Sequence, residues 1–238
     1  MKLNDVFCNT FKAMRQEIGR DPRYSIDFVL PSMKMVNACR TDRFDFFLPF
    51  IDAGKLTEDQ MQHACERYML GKTKSGRPVY WMIDDMMQPL DAHVAEGWIS
   101  TMLERREPIL ENWTVRHCLF GLHLLSVEDE SAPIAIVERE EAAVILSELF
   151  PESIWMAYAT TPHLSADLFA PLEGRIVTIY PRTDPNLSTL LYFEDLVSLT
   201  LRQYSLDLNV DTPLEDHASD DQKDRCIDIL DYLLESLT

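Results

Sequence analysis

Glycine is scarce in this sequence, with seven residues in 238. Loops that wrap a phosphate need backbone that can approach it closely, and glycine supplies that freedom. A chain this poor in glycine offers few such loops. Basic residues are outnumbered as well: 22 lysines and arginines stand against 40 aspartates and glutamates, a formal charge of −18. Proteins that grip nucleic acid draw most of their affinity from lysine and arginine on phosphates, so direct nucleic-acid binding is not expected. No apolar run reaches the roughly 20 residues that cross a bilayer, and no membrane association is expected. The opening Met1-Lys2-Leu3-Asn4-Asp5 lacks the apolar stretch of a signal peptide, so the expected location is the cytoplasm. The five cysteines (Cys8, Cys39, Cys65, Cys118 and Cys226) are odd in number, and none falls in a C-x-x-C pair. That excludes a zinc ribbon and a disulfide framework, and leaves buried free thiols as the reading.

What is present is an ordinary globular composition, 46% hydrophobic and 26% charged, in a chain long enough for one large domain or two small ones. The acidic excess serves solubility. It also suits a basic protein partner or mimicry of nucleic acid, so an unknown protein partner is the partner expectation.

Helical spacing of Val6, Phe7, Phe11, Met14 and Ile18 predicts a first helix, closed by Gly19 and Pro22. A second is predicted over residues 42–51. Thr57 reads as the N-cap of a third that ends near Leu70, with Gln60 completing a capping box. Beyond Gly71 the period changes. Residues 79–83 and 90–94 read as two β-strands around a turn at Asp84-Asp85, and 98–106 as a helix. In the second half, Ile134-Ala135-Ile136-Val137 is a short apolar run of the kind that marks a strand buried on both faces. Helix, strand, strand, helix are then predicted over 140–150, 154–158, 175–180 and 187–204, with a long closing helix over 220–237. Strands alternating with helices argue for a parallel sheet. The acidic stretch 127–133 is the candidate boundary.

Two acids fall at the C-terminal ends of predicted parallel strands, the edge where open α/β sheets bind ligands. Glu138 follows the strand at 134–137 and leads into Arg139-Glu140-Glu141. Asp184 closes Tyr180-Pro181-Arg182-Thr183-Asp184. Carboxylates gathered at such an edge can hold Mg²⁺ or Mn²⁺, and such ions clamp the oxygens of phosphoryl transfer. Acids at strand ends also serve as helix caps and dipole partners.

The order of segments resembles the Toprim region of bacterial primases. Residues 78–85 resemble the strand and turn upstream of that region. Cys118-Leu119-Phe120-Gly121-Leu122 looks like the "LYGL"-type segment before its first strand. Ile134 to Glu138 stands where those proteins carry the strand ending in the Toprim glutamate, and residues 174–181 lead into the place of their Asp-x-Asp motif. The chain is also similar to an uncharacterised family of Toprim-like, primase-related proteins of bacterial mobile elements, with strands like "VESEKTA" and "FPDTDA". The stretch from Leu214 to Leu234 is similar to its "DiaDyLl" ending.

The resemblance implies a Toprim-like parallel sheet flanked by helices and preceded by a helical and small-β region. The expected division is 1–126, primase-core-like from about residue 70, and 127–238 for the Toprim-like domain. It implies Glu138, Glu140 and Asp184 as metal ligands, with Glu138 and Asp184 catalytic if the site is active. The departures weigh against activity. Arg139-Glu140-Glu141 stands for Ser-Glu-Lys, Arg182-Thr183-Asp184 for Asp-x-Asp, and Ala159-Thr160-Thr161-Pro162-His163 for a Gly-Gly-Lys-like loop. Arg182 and Glu141 are the replacements, and Arg182 is expected to pair with Glu138 or Glu140 where a metal would sit. The expected function is therefore a catalytically degenerate Toprim/primase-like protein, a pseudoenzyme tied to mobile-element DNA replication or transfer. An active Mg²⁺-dependent phosphoryl-transfer enzyme and an acidic protein-interaction module are the alternatives. His117 and His123 read as satisfied histidines. Ser126, Ser165 and Ser188 lack the glycine context of a nucleophile elbow. The acids Asp211, Glu215, Asp216, Asp220 and Asp221 read as a solvated loop and helix start.

Overall fold

The computed structural model describes residues 31–73, 75–95, 97–99, 117–159 and 164–237. The helix expected over Val6 to Ile18, most of the helix expected at 98–106 and the loop Thr160 to His163 lie outside them. Helix α1, Met33–Cys39, starts where the Ser32 hydroxyl accepts the amide of Met35. The single helix expected at 42–51 is instead a 3-10 turn, Asp45–Phe47, followed by α2, Leu48–Asp52. Pro49 is the cause: it has no N–H to give, and its ring would meet the carbonyl four residues back. Helix α3, Glu58–Arg67, has the expected capping box. The Gln60 amide donates to the Thr57 hydroxyl at 3.2 Å, and the Thr57 amide donates to Gln60 Oε1 at 3.1 Å.

An antiparallel sheet follows in the order β1 (Gly71–Lys72), β2 (Pro78–Ile83), β3 (Pro89–Val94) and β4 (Gly97–Trp98). Trp98 therefore ends a strand where a helix start was expected; its indole packs on His93 across the hairpin, at a ring separation of 5.0 Å. Alternation gives this sheet two working faces. Trp81, Ile83, Ala92 and Val94 pack on Met35 and Val36 of α1. Tyr80 and Met82 face the rest of the molecule.

The second sheet is wholly parallel, in the order β6-β5-β7-β8, with β5 Ile134–Val137, β6 Ile154–Ala157, β7 Ile176–Ile179 and β8 Asp207–Val210. Helix α4, Glu140–Leu149, connects β5 to β6, and α5, Ser188–Gln203, connects β7 to β8. A 3-10 helix, Ala166–Leu172, lies between β6 and β7. Strand β8 was not expected. The closing helix expected at 220–237 is two short ones, α7 (Asp220–Asp224) and α8 (Ile229–Glu235), preceded by α6 (Pro213–His217). The break falls at Cys226, whose φ is 53°, and at Asp228, whose side chain accepts the Asp231 amide and so begins a new helix. The fold is thus mixed α/β, a four-stranded parallel sheet flanked by helices beside a small antiparallel sheet.

One apolar core crosses residues 126/127, joining Phe47, Tyr68 and Tyr80 to Ile136, Val144, Phe193 and Leu230. The two halves meet at Phe120, which exchanges both backbone hydrogen bonds with Ala157 of β6, at 2.8 and 3.1 Å. Among the described residues no helix is long and apolar enough to cross a membrane.

Candidate functional site

Strand β5 is flanked by β6 on one side and β7 on the other, so the connections leaving β5 and β6 run to opposite sides of β5. Such a switch point opens a crevice at the C-terminal strand ends, where sheets of this kind bind ligands. Here it is lined by Glu138, Tyr158 and Arg182, the residues that follow β5, β6 and β7. Each charged group along this rim already has a partner.

Glu138 pairs with Arg182, Oε2 to Nε 3.6 Å. Burial pushes the Glu138 carboxyl up; Arg182 pulls it back, Asp228 pushes it further up, and Arg139 and the Tyr158 hydroxyl oppose that. Arg139 donates from Nε and Nη2 to both carboxylate oxygens of Asp228, each at 2.5 Å, and from Nη2 to Asp231 at 2.7 Å. Glu140, the first residue of α4, is buried and meets His93 Nδ1 at 2.6 Å. Glu141 accepts the Tyr80 hydroxyl at 3.0 Å. Four consecutive residues thus reach four different parts of the chain, and the antiparallel sheet is docked to α4 by two of them.

Asp184 is also engaged. Its Oδ1 accepts the amides of Asn186 at 2.9 Å and Ser188 at 3.1 Å and the Ser188 hydroxyl at 3.2 Å, while Oδ2 accepts the Thr189 amide at 2.7 Å. The residue at the head of α5, Leu187, has φ 55° and no side-chain cap, so Asp184 caps that helix from three residues upstream. Burial works against its charge, but the hydrogen bonds from Thr189, Ser188 and Asn186 outweigh it and hold the carboxyl far below the ordinary range. Next to it, the Thr183 amide donates to the Ile227 carbonyl at 3.0 Å and its hydroxyl to Glu215 at 2.5 Å.

The structure brings Glu138 and Arg182 together and holds Glu140 and Asp184 in separate contacts. Mg²⁺ or Mn²⁺ needs oxygen donors free to close to about 2.0–2.6 Å. Glu138 instead faces a guanidinium, Glu140 an imidazole, and Asp184 four donors of its own loop and helix. The residues do not fit such an ion, and among the described residues no group of three or more His, Cys, Asp or Glu is arranged to hold one. Of the other residues singled out, His123 is buried and donates from Nε2 to the Arg67 carbonyl at 3.0 Å. His117 packs edge-on against Trp98 at 4.6 Å, Ser126 donates to the His123 carbonyl, Ser165 begins the 3-10 helix and Ser188 serves Asp184. The described cysteines are free thiols, and burial pushes Cys65 up to about 12.

Sequence reasoning missed His93, Asp228, Asp231 and Tyr80. The signal for Asp228 was present: Asp228 and Asp231 stand three apart ahead of an apolar run, the spacing of a capping box. His93 carries a testable consequence. Burial opposes its imidazolium, but the hydrogen bond to Glu140 and the charges of Glu140 and Asp91 outweigh it, so the pKa lies above its ordinary 6.5. A raised pKa gives stability that is complete below 6.5 and is lost as the pH rises through the folded value. Thermal unfolding of wild type should therefore lose stability across that window. His93→Gln should show a flatter profile there, and parallel profiles would refute the linkage.

A family model described as a domain of unknown function, DUF6371, matches residues 45–183. No curated protein and no solved structure matches the chain. The matched segment covers more than half of the sequence and includes both Glu138 and Arg182.

Proposed function

The chain belongs to the DUF6371 family, and from that premise we propose that it is a divergent, catalytically degenerate Toprim/primase-like protein serving mobile-element DNA metabolism. The observation that carries the degenerate part is the Glu138–Arg182 ion pair at the switch point. Phosphoryl transfer in sites of this type requires a cation that polarises the transferred group and carboxylates that hold that cation. A guanidinium paired with Glu138 offsets the charge of the carboxylate but offers no open coordination position for a water. The resemblance of the segment order to that of primases supports the link to DNA, and the charge of −18 favours a role through a protein partner over a direct grip on the duplex.

The test has two arms. Purified protein with Mg²⁺ or Mn²⁺ should give no primer synthesis, nicking or nuclease activity above background. An activity that vanishes in Glu138→Gln would overturn the degenerate reading. Deleting the gene from an element that carries it should impair replication or transfer of that element, and the Glu138→Gln variant should restore either as well as wild type does. Unimpaired replication and transfer after deletion would refute the DNA role.

A further inference from the structure

The C-terminal segment from Pro213 onward spans the crevice from one rim to the other. On the β7 rim, Glu215 accepts the Thr183 hydroxyl and the Ile227 carbonyl accepts the Thr183 amide. On the β5 rim, Asp228 and Asp231 hold Arg139. Asp228 holds Arg139, the residue next to Glu138, so it stands beside the end of β5. Within the segment, Lys223 of α7 pairs with Glu215 beside it, at 3.4 Å, and so ties α7 to α6.

Two features set this segment apart from the sheet that it covers. Its helices are five, five and seven residues long, too short to persist alone, and it buries only Leu214, Ile227, Asp228 and Leu230 among its described residues, none of them in α7. Its grip on the β5 rim is a fork of the kind guanidinium makes with either a carboxylate or a phosphate, two parallel N–H···O bonds to one anionic group. The Asp228 side chain is 7% exposed where it fills that fork.

We propose that residues 213–237 are an autoinhibitory strap, and that Asp228 occupies, as an internal anion, a site at Arg139 that takes a phosphate group when the strap lifts. The inference goes beyond the functional reading above and does not need it, because binding a phosphate at this edge requires no metal and no chemistry. Arg182, 46% exposed and on the opposite rim, is a second cation for such a ligand once it turns from Glu138. The net charge of the chain selects for small ligands: a long polyanion would be repelled by the acidic surface, whereas a free phosphate or a terminal nucleotide phosphate carries only about two charges.

The test uses the full chain in three forms: wild type, Asp228→Asn with Asp231→Asn, and that pair with Arg139→Gln added. Asparagine keeps the N-cap of α8 while removing the charge. Inorganic phosphate and a 5′-phosphorylated thymidine dinucleotide are titrated calorimetrically into each. The double variant should gain saturable binding at least tenfold tighter than wild type, and the added Arg139→Gln should abolish it. The tighter of the two probes identifies the source of the phosphate. A double variant that binds neither probe better than wild type, or a gain that survives Arg139→Gln, overturns the proposal. Hydrogen exchange on wild type gives a separate reading if the variants fold poorly. With rising salt, residues 213–237 should lose protection while β5 and β7 keep theirs, and a strap as protected as the strands at every salt concentration also overturns it.

Discussion

Replacing Arg139 with methionine should lower the stability of the fold by about 2–3 kcal/mol. The melting temperature should fall by roughly 5–10 °C in a chain of this size. The cause is the carboxylate left behind rather than the bonds lost. Asp228 is buried and gives both oxygens to Arg139, and it also accepts the Asp231 amide at the head of α8. Without the guanidinium its charge has a single backbone donor in a place that water hardly reaches. The guanidinium is 39% exposed, so the loss stays below that of a wholly buried pair. Adding Asp228→Asn to Arg139→Met removes the stranded charge, and about half of the stability should return. Urea denaturation of the four members of that cycle measures this. A double variant no more stable than Arg139→Met alone would show that packing, not charge, sets the cost.

Gly121→Ala should cost about 3 kcal/mol, in two separable parts. The residue sits at φ 86°, where any Cβ carries a penalty of about 1 kcal/mol or more. An added Cβ would also lie 3.0 Å from the Trp155 carbonyl oxygen and 3.1 Å from the Tyr68 ring. Neither neighbour can give way, because the Tyr68 hydroxyl donates to that same carbonyl at 2.7 Å and the ring is fully buried. Gly174 supplies the control, with φ 78° and open space around its Cβ position. Gly174→Ala should therefore show the backbone penalty alone, about 1 kcal/mol. Equal losses at the two positions, measured by chemical denaturation, would mean that the close approach at Gly121 carries no energy.

The parts of the fold that could be read from the sequence are those fixed by local pattern. Ile134–Val137 is apolar at every position because both of its faces are covered, and a run that short and β-branched has few other uses. Thr57 and Gln60 declare a helix start within four residues. Strand β8 hid because Asp207 and Asn209 favour turns and face solvent on the sheet edge; only its parallel pairing with β7 makes it a strand. The closing helix reads as one because its apolar residues keep helical spacing through Asp228, while the local cap that Asp228 makes with the Asp231 amide starts a new helix there. The same division holds at the site. Glu138 and Arg182 were legible as strand-end residues. The partners of Arg139 and Glu140 were not, since Asp228 lies 89 residues and His93 47 residues away in sequence, and no periodicity reports a contact of that range.

The four residues 138–141 also set a timetable. As the chain leaves the ribosome, His93 and Tyr80 are already available when Glu140 and Glu141 emerge, so the antiparallel sheet can dock on α4 early. Arg139 must wait for a partner 89 residues downstream. At about 5–20 residues per second that is a delay of several seconds, during which β7 and β8 are still being made. Until Asp228 arrives, the growing chain presents an unpaired guanidinium beside the ends of a half-built sheet. Translation thus passes through a species with a cation exposed at the crevice, and emergence of Asp228 from the exit tunnel ends it.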